Sequence, residues 1–399
     1  MSKSLRRNSS EEIENELLAK DCLDTLDYDF RRNNVSEEPG YTLFVTIGSS
    51  LELIHGICKI EVILVENFTD LFIDFRGEIG RIWVNKALVY YNHETPDCSN
   101  LYNGSVLVIS KSHLKPHLNI ITVEYKALLM AESRGLYSTE DLEGKEPRRF
   151  LYTLSEPNHA SLFMPVFGQL NIKGSFKLYV CHPAKMQAAS NNRLKAIGTL
   201  TDDAFFEEII ERFDKTSKLE FWTKLRMKYF EADQVVSEFH TTGLLAFNMF
   251  AFAVGHFEVT ETAIEFESRS VKVRFFTRHE WKHQIESVKE SFAKLIKFGI
   301  DYFEKLTGKQ FPYLKYDTVF VKEFHLDAIE TPGMVIMYEE YIKFNELDGI
   351  QQLRILKVFL HEIAHMWFGR DSFNKATLSR SIGGVICGLK RDWQSIFHS

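Results

Sequence analysis

Six short apolar segments between residues 41 and 126 constrain the fold of this chain more than any other feature. They are rich in Val, Ile, Leu and aromatic residues, and Gly, Asn, Asp or Pro separates them at intervals of about ten residues. Within the second segment Cys58, Ile60 and Val62 recur at every other position, as in a strand with one buried face. The segments are Tyr41–Ile47, Gly56–Val65, Leu71–Phe75, Arg81–Tyr91, Ser105–Ile109 and Leu118–Tyr125. This pattern predicts a sandwich of antiparallel strands.

A second group of predicted strands follows, at Arg149–Leu154, Gly174–Val180 and Val254–Val259. Between them, residues 201–229 have the apolar spacing of helices and begin at Asp202, a typical N-cap residue. We therefore expect a β-rich domain at residues 28–258, interrupted by helices at about 201–229 and preceded by a polar lead at residues 1–27.

The pattern becomes helical again after Arg278. Apolar residues three or four apart predict a long amphipathic helix from Trp281 to Gly308. Strands are then predicted within residues 311–321 and at Met334–Tyr338, and a further helix in the uninterrupted run Ile350–Phe368. Together with the strands before it, this order predicts an α+β chain with a mixed second domain at residues 259–399.

The predicted last helix carries an unusual set of polar residues. His361 and His365 are four residues apart, so both imidazoles project from one face of a helix and can reach a single zinc ion. Glu362 lies on the adjoining side of the same turn, where it could take a proton from a metal-bound water. Two His and a Glu in this order also occur by chance, but apolar flanks with no Pro or Gly favour the zinc site.

Composition excludes several other classes of protein. Hydrophobic residues make up 45% and charged residues 26% of the 399 positions, which is ordinary for a globular protein. A net charge of -7 gives no electrostatic basis for nucleic-acid binding. No run of 18 apolar residues is present to span a membrane, and the N-terminus has no secretory signal. The five scattered Cys are expected to be reduced thiols in a cytoplasmic protein.

Several segments in succession resemble the zinc aminopeptidases of the aminopeptidase N family, the gluzincins that remove N-terminal residues. Residues 155–169 are similar to the family sequence F-E-P-x-x-A-R-x-x-F-P-C-F-D-Q. Residues 328–333, Ala-Ile-Glu-Thr-Pro-Gly, fall where the family has its exopeptidase loop G-A-M-E-N, and residues 361–365 match its zinc helix. The resemblance implies an N-terminal β-sandwich or saddle domain followed by a partial thermolysin-like catalytic domain, divergent from residue 370.

The same resemblance implies roles for the matched positions. His361 and His365 would bind Zn²⁺, and Glu362 would be the general base that activates a zinc-bound water. Glu330 would pair with the free α-amine of a peptide substrate, although without the resemblance it is more simply a surface turn residue. The implied activity is release of N-terminal residues from peptides.

Departures from the family pattern leave a second hypothesis open. The family's third zinc ligand falls on Gly384, with Asp371 and Asp392 as the remaining acidic residues in this region, and a Gln that helps to bind the α-amine is replaced by Leu154. The resemblance ends near Gly369. The alternative is therefore a truncated, catalytically impaired relative that acts as a protein-binding or regulatory module.

Overall fold

A computed structural model describes residues 31–48, 53–91, 101–130, 134–142, 147–213, 222–223, 226–227, 233–322, 324 and 326–368. The predicted polar lead at residues 1–27 and the divergent segment from residue 370 lie outside these ranges. None of the helices within them is long and apolar enough to cross a membrane.

The elements that are described from end to end are nineteen strands and three α-helices, and residues 31–34 are also helical. The strands are β1 (Gly40–Ile47), β2 (Leu53–Leu64), β3 (Leu71–Asp74), β4 (Glu78–Val84), β5 (Ala87–Tyr91), β6 (Val106–Ile109), β7 (His117–Leu128), β8 (Gly135–Asp141), β9 (Arg148–Leu154), β10 (Ser175–Pro183), β11 (Gln187–Ser190), β12 (Leu194–Gly198), β13 (Gln234–Phe239), β14 (Phe252–Gly255), β15 (Glu258–Glu265), β16 (Ser270–Thr277), β17 (Lys315–Val321), β18 (Ala328–Thr331) and β19 (Met334–Tyr338). The helices are α1 (Asp203–Arg212), α2 (Lys282–Thr307) and α3 (Gly349–Ala364).

Strands β1 to β14 form three sheets around one core. The largest has eight strands in the order β12-β13-β10-β1-β2-β7-β4-β5, and the others are β11-β14-β9-β8 and β3-β6. Neighbouring strands are antiparallel except for β1 and β10, which are parallel. A single apolar cluster, including Leu43, Ile60, Ile73, Phe167 and Phe252, fills the space between the sheets. Helix α1 packs on the opposite face of the large sheet through Phe206 and Ile209.

The second half of the chain forms a five-stranded sheet, β15-β16-β17-β19-β18, with α2 and α3 on one face. Strands β16, β17 and β19 are parallel, and β18 is an antiparallel edge strand. The opposite face of this sheet packs through Phe276, Val319 and Ile336 against Phe150 and Tyr152 of the N-terminal sheets. The chain is thus α+β, which confirms the fold class predicted from sequence.

Three predicted elements differ in detail. The segment Arg81–Tyr91 is a hairpin of β4 and β5, because Asn85 and Lys86 adopt positive φ of 49° and 76° and reverse the chain. The predicted strand Val254–Val259 is two strands in different sheets, β14 and β15. Helix α3 ends at Ala364, with His365 as its C-cap, and does not continue to Phe368. Apolar content alone does not mark these breaks.

The predicted helical region at 201–229 is described only in part. Helix α1 has the expected N-cap, since the Asp202 side chain accepts hydrogen bonds from the backbone N–H groups of Ala204 and Phe205. Residues 222–223 and 226–227 are also helical, and the remaining positions between 214 and 232 lie outside the described residues.

The contact between α2 and α3 gives a test of the packing that holds α3 in place. A Cβ at Gly299 in α2 would meet Ile363 Cδ1 at 2.8 Å and Leu360 Cδ2 at 3.1 Å. Gly299→Val should therefore lower the free energy of unfolding by about 1–3 kcal/mol through overpacking. Denaturant unfolding measures this. The matched control is Gly349→Val, where a Cβ meets nothing within 4 Å; equal stability of the two variants would contradict the packing described.

Candidate functional site

Helix α3 is fixed at its start by a capping box and along its length by the core. The Asp348 carboxylate accepts hydrogen bonds from the N–H groups of Ile350 and Gln351, both at 2.9 Å, and the Gln351 side chain accepts one from Asp348 N–H at 3.2 Å. Further along, Phe359 and Ile363 are fully buried against α2 and the sheet. The helix therefore holds its histidines on a rigid support.

The structure brings His361 and His365 together, as their spacing predicts. Their Nε2 atoms lie 3.1 Å apart, and the ring planes are inclined by 81°. Burial, and to a smaller extent the neighbouring His365, lowers the pKa of His361 to about 4. His361 is therefore neutral near pH 7, the form in which an imidazole nitrogen can bind a metal ion.

Glu330 lies beside the same histidines. It belongs to the edge strand β18, and its Oε1 is 3.2 Å from His365 Nδ1. Its side chain is only 18% exposed, so the simpler prediction of a surface turn residue is wrong. The structure thus places Glu330 in one site with both histidines.

Glu362 is buried on the adjoining side of the helix. The residue is 4% exposed, and its Oε2 has no hydrogen-bond partner among the described residues. Burial raises the pKa of this carboxyl well above its ordinary value, and the charges of Glu330, Glu156 and Asp327 raise it further. Once ionised, a carboxylate with a raised pKa is a stronger base than an exposed one.

Glu156 is a site residue that the sequence reasoning missed. It follows β9 and is close enough to Glu362 for its charge to raise the Glu362 pKa. Leu154, which replaces the family's Gln, is 2% exposed and lies in the apolar cluster where the five-stranded sheet packs on the N-terminal sheets. In the sequence, Glu156 could have been found from the Glu-Pro pair at residues 156–157, because this pair lies within the segment 155–169 that resembles the family.

The turn after β18 is held by groups from both halves of the chain. Asn191 Nδ2 donates a hydrogen bond to Pro332 O at 3.1 Å, and Lys315 Nζ donates one to Gly333 O at 3.0 Å. Gly333 N–H donates to Met366 Sδ at 3.4 Å, which ties the turn to the residue after His365. Gly333 has φ +74°, and a Cβ there would meet Asn191 O at 2.5 Å, so only glycine fits.

The histidine pair fits zinc in chemistry and in spacing. Two nitrogens that share one tetrahedral zinc at about 2.0–2.1 Å lie about 3.3–3.4 Å apart, close to the 3.1 Å between His361 and His365. Within the described ranges, no group of three His, Cys, Asp or Glu side chains is placed to hold a metal. This part of the chain could therefore offer two ligands, His361 and His365, and positions Asp371, Gly384 and Asp392 lie outside the described residues.

The raised pKa of Glu362 predicts how the metal-free chain responds to pH. Above about pH 4.3 the unfolded chain loses this proton while the folded chain keeps it, so folding becomes less favourable as the pH rises. Glu362→Gln removes this titrating group and with it the loss of stability that the group causes as the pH rises. The stability of the variant, compared with wild type at the same pH, should therefore be higher at pH 8 than at pH 5. Urea unfolding with chelator present measures this. Equal pH slopes for wild type and variant, with the exposed control Glu346→Gln for comparison, would show that Glu362 titrates normally.

Comparison with known proteins agrees with the order of these elements along the chain. The Peptidase M1 N-terminal domain matches residues 37–219, and the Peptidase family M1 domain matches residues 290–374. The second match contains α3, with both histidines and Glu362, together with β18 and Glu330.

Curated relatives extend the similarity across the region between the two domains. Pig (Sus scrofa) glutamyl aminopeptidase is 24% identical over 88% of this chain and 33% of its own length. Aminopeptidase N of Streptomyces lividans is 23% identical over 70% of this chain and 28% of its own length. Human endoplasmic reticulum aminopeptidase 2 is 24% identical over 71% of this chain and 25% of its own length. The chain thus spans a quarter to a third of the length of these relatives, and it belongs to the M1 family of peptidases.

Proposed function

We propose that this chain carries the catalytic helix and the exopeptidase strand of a zinc-dependent aminopeptidase, which releases N-terminal residues from peptides. The observation that carries the proposal is the convergence of His361 and His365, 3.1 Å apart at Nε2, with Glu330 3.2 Å from His365. The matches to the M1 family and to aminopeptidases support the reaction class.

His361 and His365 are the residues that would hold the metal, with their Nε2 atoms 3.1 Å apart. Zinc, when bound, supplies a Lewis acid that polarises a carbonyl and lowers the pKa of water. Glu362 is the proton acceptor in this proposal: a cation bound beside it favours its ionised form, and a buried carboxylate then holds a proton more tightly than an exposed one does. The same group can then return the proton to the leaving amine.

Glu330 and Glu156 supply the selectivity for a free N-terminus. Both carboxyl groups act electrostatically on Glu362, so the site concentrates negative charge in a largely buried space. The ammonium group of a peptide's first residue offsets this charge, whereas an N-blocked or internal peptide bond brings no positive charge. We therefore propose a peptide with a free N-terminus as the substrate.

The alternative function remains a non-catalytic relative that binds a protein partner. It is favoured by one observation, that the described residues supply two metal ligands where catalytic zinc sites generally have three. Metal binding and turnover distinguish the two proposals.

Zinc titration tests the metal site without reference to activity. Wild type should bind one zinc per chain, and His361→Ala or His365→Ala should each weaken binding by about tenfold or more, since each removes one of two nitrogen ligands. Competition with a chromophoric chelator gives the dissociation constants. His279→Ala removes an exposed histidine outside the site and should leave the constant unchanged. Unchanged affinity in either site variant would place the metal elsewhere.

Turnover of an amino-acid arylamide tests the reaction. With zinc supplied, the chain should release arylamine slowly from alanine or leucine arylamide and not from the N-acetylated compounds. Glu362→Gln should lower the rate by about 10²–10⁴-fold, the usual contribution of a general base, while Glu346→Gln should not change it. Absence of zinc-dependent release would favour the binding module, and release undiminished in Glu362→Gln would remove that residue from the mechanism.

A further inference from the structure

We propose that a second cleft, remote in sequence from the histidine site, binds an organic carboxylate with an apolar body. The cleft lies between strands β10–β13 of the N-terminal half and strands β15–β17 of the five-stranded sheet. Its volume is about 490 Å³, within the range of small-molecule sites and large enough for a ligand of dipeptide size.

The lining of the cleft is strongly cationic. Arg193, Lys272, Arg274 and Lys315 contribute four positive side chains, against one carboxylate, Glu261. That carboxylate is already paired with Lys272, Nζ to Oε2 at 2.8 Å. Asp317 offsets one of the charges of Arg274 and Lys315, so with Arg193 an excess of positive charge is left for an anion that enters between the two halves of the chain.

At the base of the cleft two buried cations share one carboxylate. Asp317 accepts hydrogen bonds from Arg274 Nε at 2.9 Å and Nη2 at 2.6 Å, and from Lys315 Nζ at 2.5 Å. The side chains of Arg274, Lys315 and Asp317 are 11%, 3% and 0% exposed. This trio carries one net positive charge in a poorly hydrated place, an arrangement that an added anion stabilises.

The two arginines are the groups left to bind a ligand directly. All three N–H groups of the Lys315 ammonium already have acceptors, because Nζ also donates to Ser190 O and Gly333 O. Arg274 donates to Asp317 through Nε and Nη2, and among the described residues no hydrogen bond uses its Nη1. Arg193 lies exposed at the mouth, and its guanidinium makes no ion pair within the described part of the chain. Guanidinium groups match the planar geometry of a carboxylate.

Apolar side chains form the rest of the wall and indicate the body of the ligand. Leu194, Ile197, Val259 and Phe276 line the cleft with the arginines, and Ile197 is 57% exposed. An exposed apolar side chain beside cationic groups suits a ligand that is apolar along its length and anionic at one end. A fully polar anion such as phosphate leaves this wall uncovered.

Binding of hexanoate to the metal-free chain tests the proposal, with hexan-1-ol and inorganic phosphate as the neutral and polar probes. Titration followed by calorimetry should show saturable binding of hexanoate and weaker binding of the other two. Arg193→Gln and Arg274→Lys should each weaken hexanoate binding by about ten- to hundredfold, since each removes a charge-assisted hydrogen bond. Lys305→Gln, which removes an exposed charge outside the cleft, should leave it unchanged.

Arg193 is exposed, so its variant keeps the proposal testable if Arg274→Lys disturbs Asp317 and the fold. No binding of hexanoate, or equal binding of hexan-1-ol, would overturn carboxylate recognition. Tighter binding of phosphate than of hexanoate would overturn the ligand class. Hexanoate affinity unchanged in Arg193→Gln would overturn the assignment to this cleft.

Discussion

The turn at Pro332–Gly333 is the constraint on which the arrangement of the site depends. Asn191 from the N-terminal half donates a hydrogen bond to the Pro332 carbonyl, and Lys315 from β17 donates one to the Gly333 carbonyl. The Gly333 N–H donates to the sulfur of Met366, the residue after His365. Because β18 leads directly into this turn, these contacts fix where Glu330 stands relative to the histidines. The N-terminal sheets therefore help to position an edge strand of the five-stranded sheet, and the two halves act as one scaffold.

Within that scaffold burial disfavours the charged forms of two neighbouring residues of α3, His361 and Glu362. Desolvation lowers the pKa of His361 and raises that of Glu362, so both residues favour their neutral forms in the metal-free chain. Neutral imidazoles are ready to bind a metal, and a cluster of acidic groups that costs energy when ionised becomes favourable once cations enter. The proposed zinc ion and the proposed substrate ammonium are two such cations. The geometry thus suits a site completed by its ligands.

The sequence predicted the elements that have a clear pattern over a few neighbouring residues. The four-residue spacing of His361 and His365 placed both imidazoles on one face, and the alternation along β2 gave a strand with one buried side. The α+β class followed from the order of such elements. Breaks within apolar runs could not be predicted from local patterns. The sequence of β14 and the start of β15 predicts a single strand, and the two strands are distinguished only because they pair in different sheets. The N-terminal contribution to the site, Glu156, also depends on contacts distant in sequence, which spacing does not reveal.

The proposed function requires His361 and His365 to bind one zinc ion through their imidazole nitrogens. X-ray absorption at the zinc edge of the zinc-loaded chain tests it most directly, because imidazole rings give outer-shell scattering that carboxylates and water do not. Binding by both histidines should give nitrogen or oxygen neighbours at about 2.0–2.1 Å with scattering from two imidazole rings, reduced to one ring in His365→Ala. A sulfur neighbour at about 2.3 Å, or a spectrum with no imidazole scattering, would contradict it.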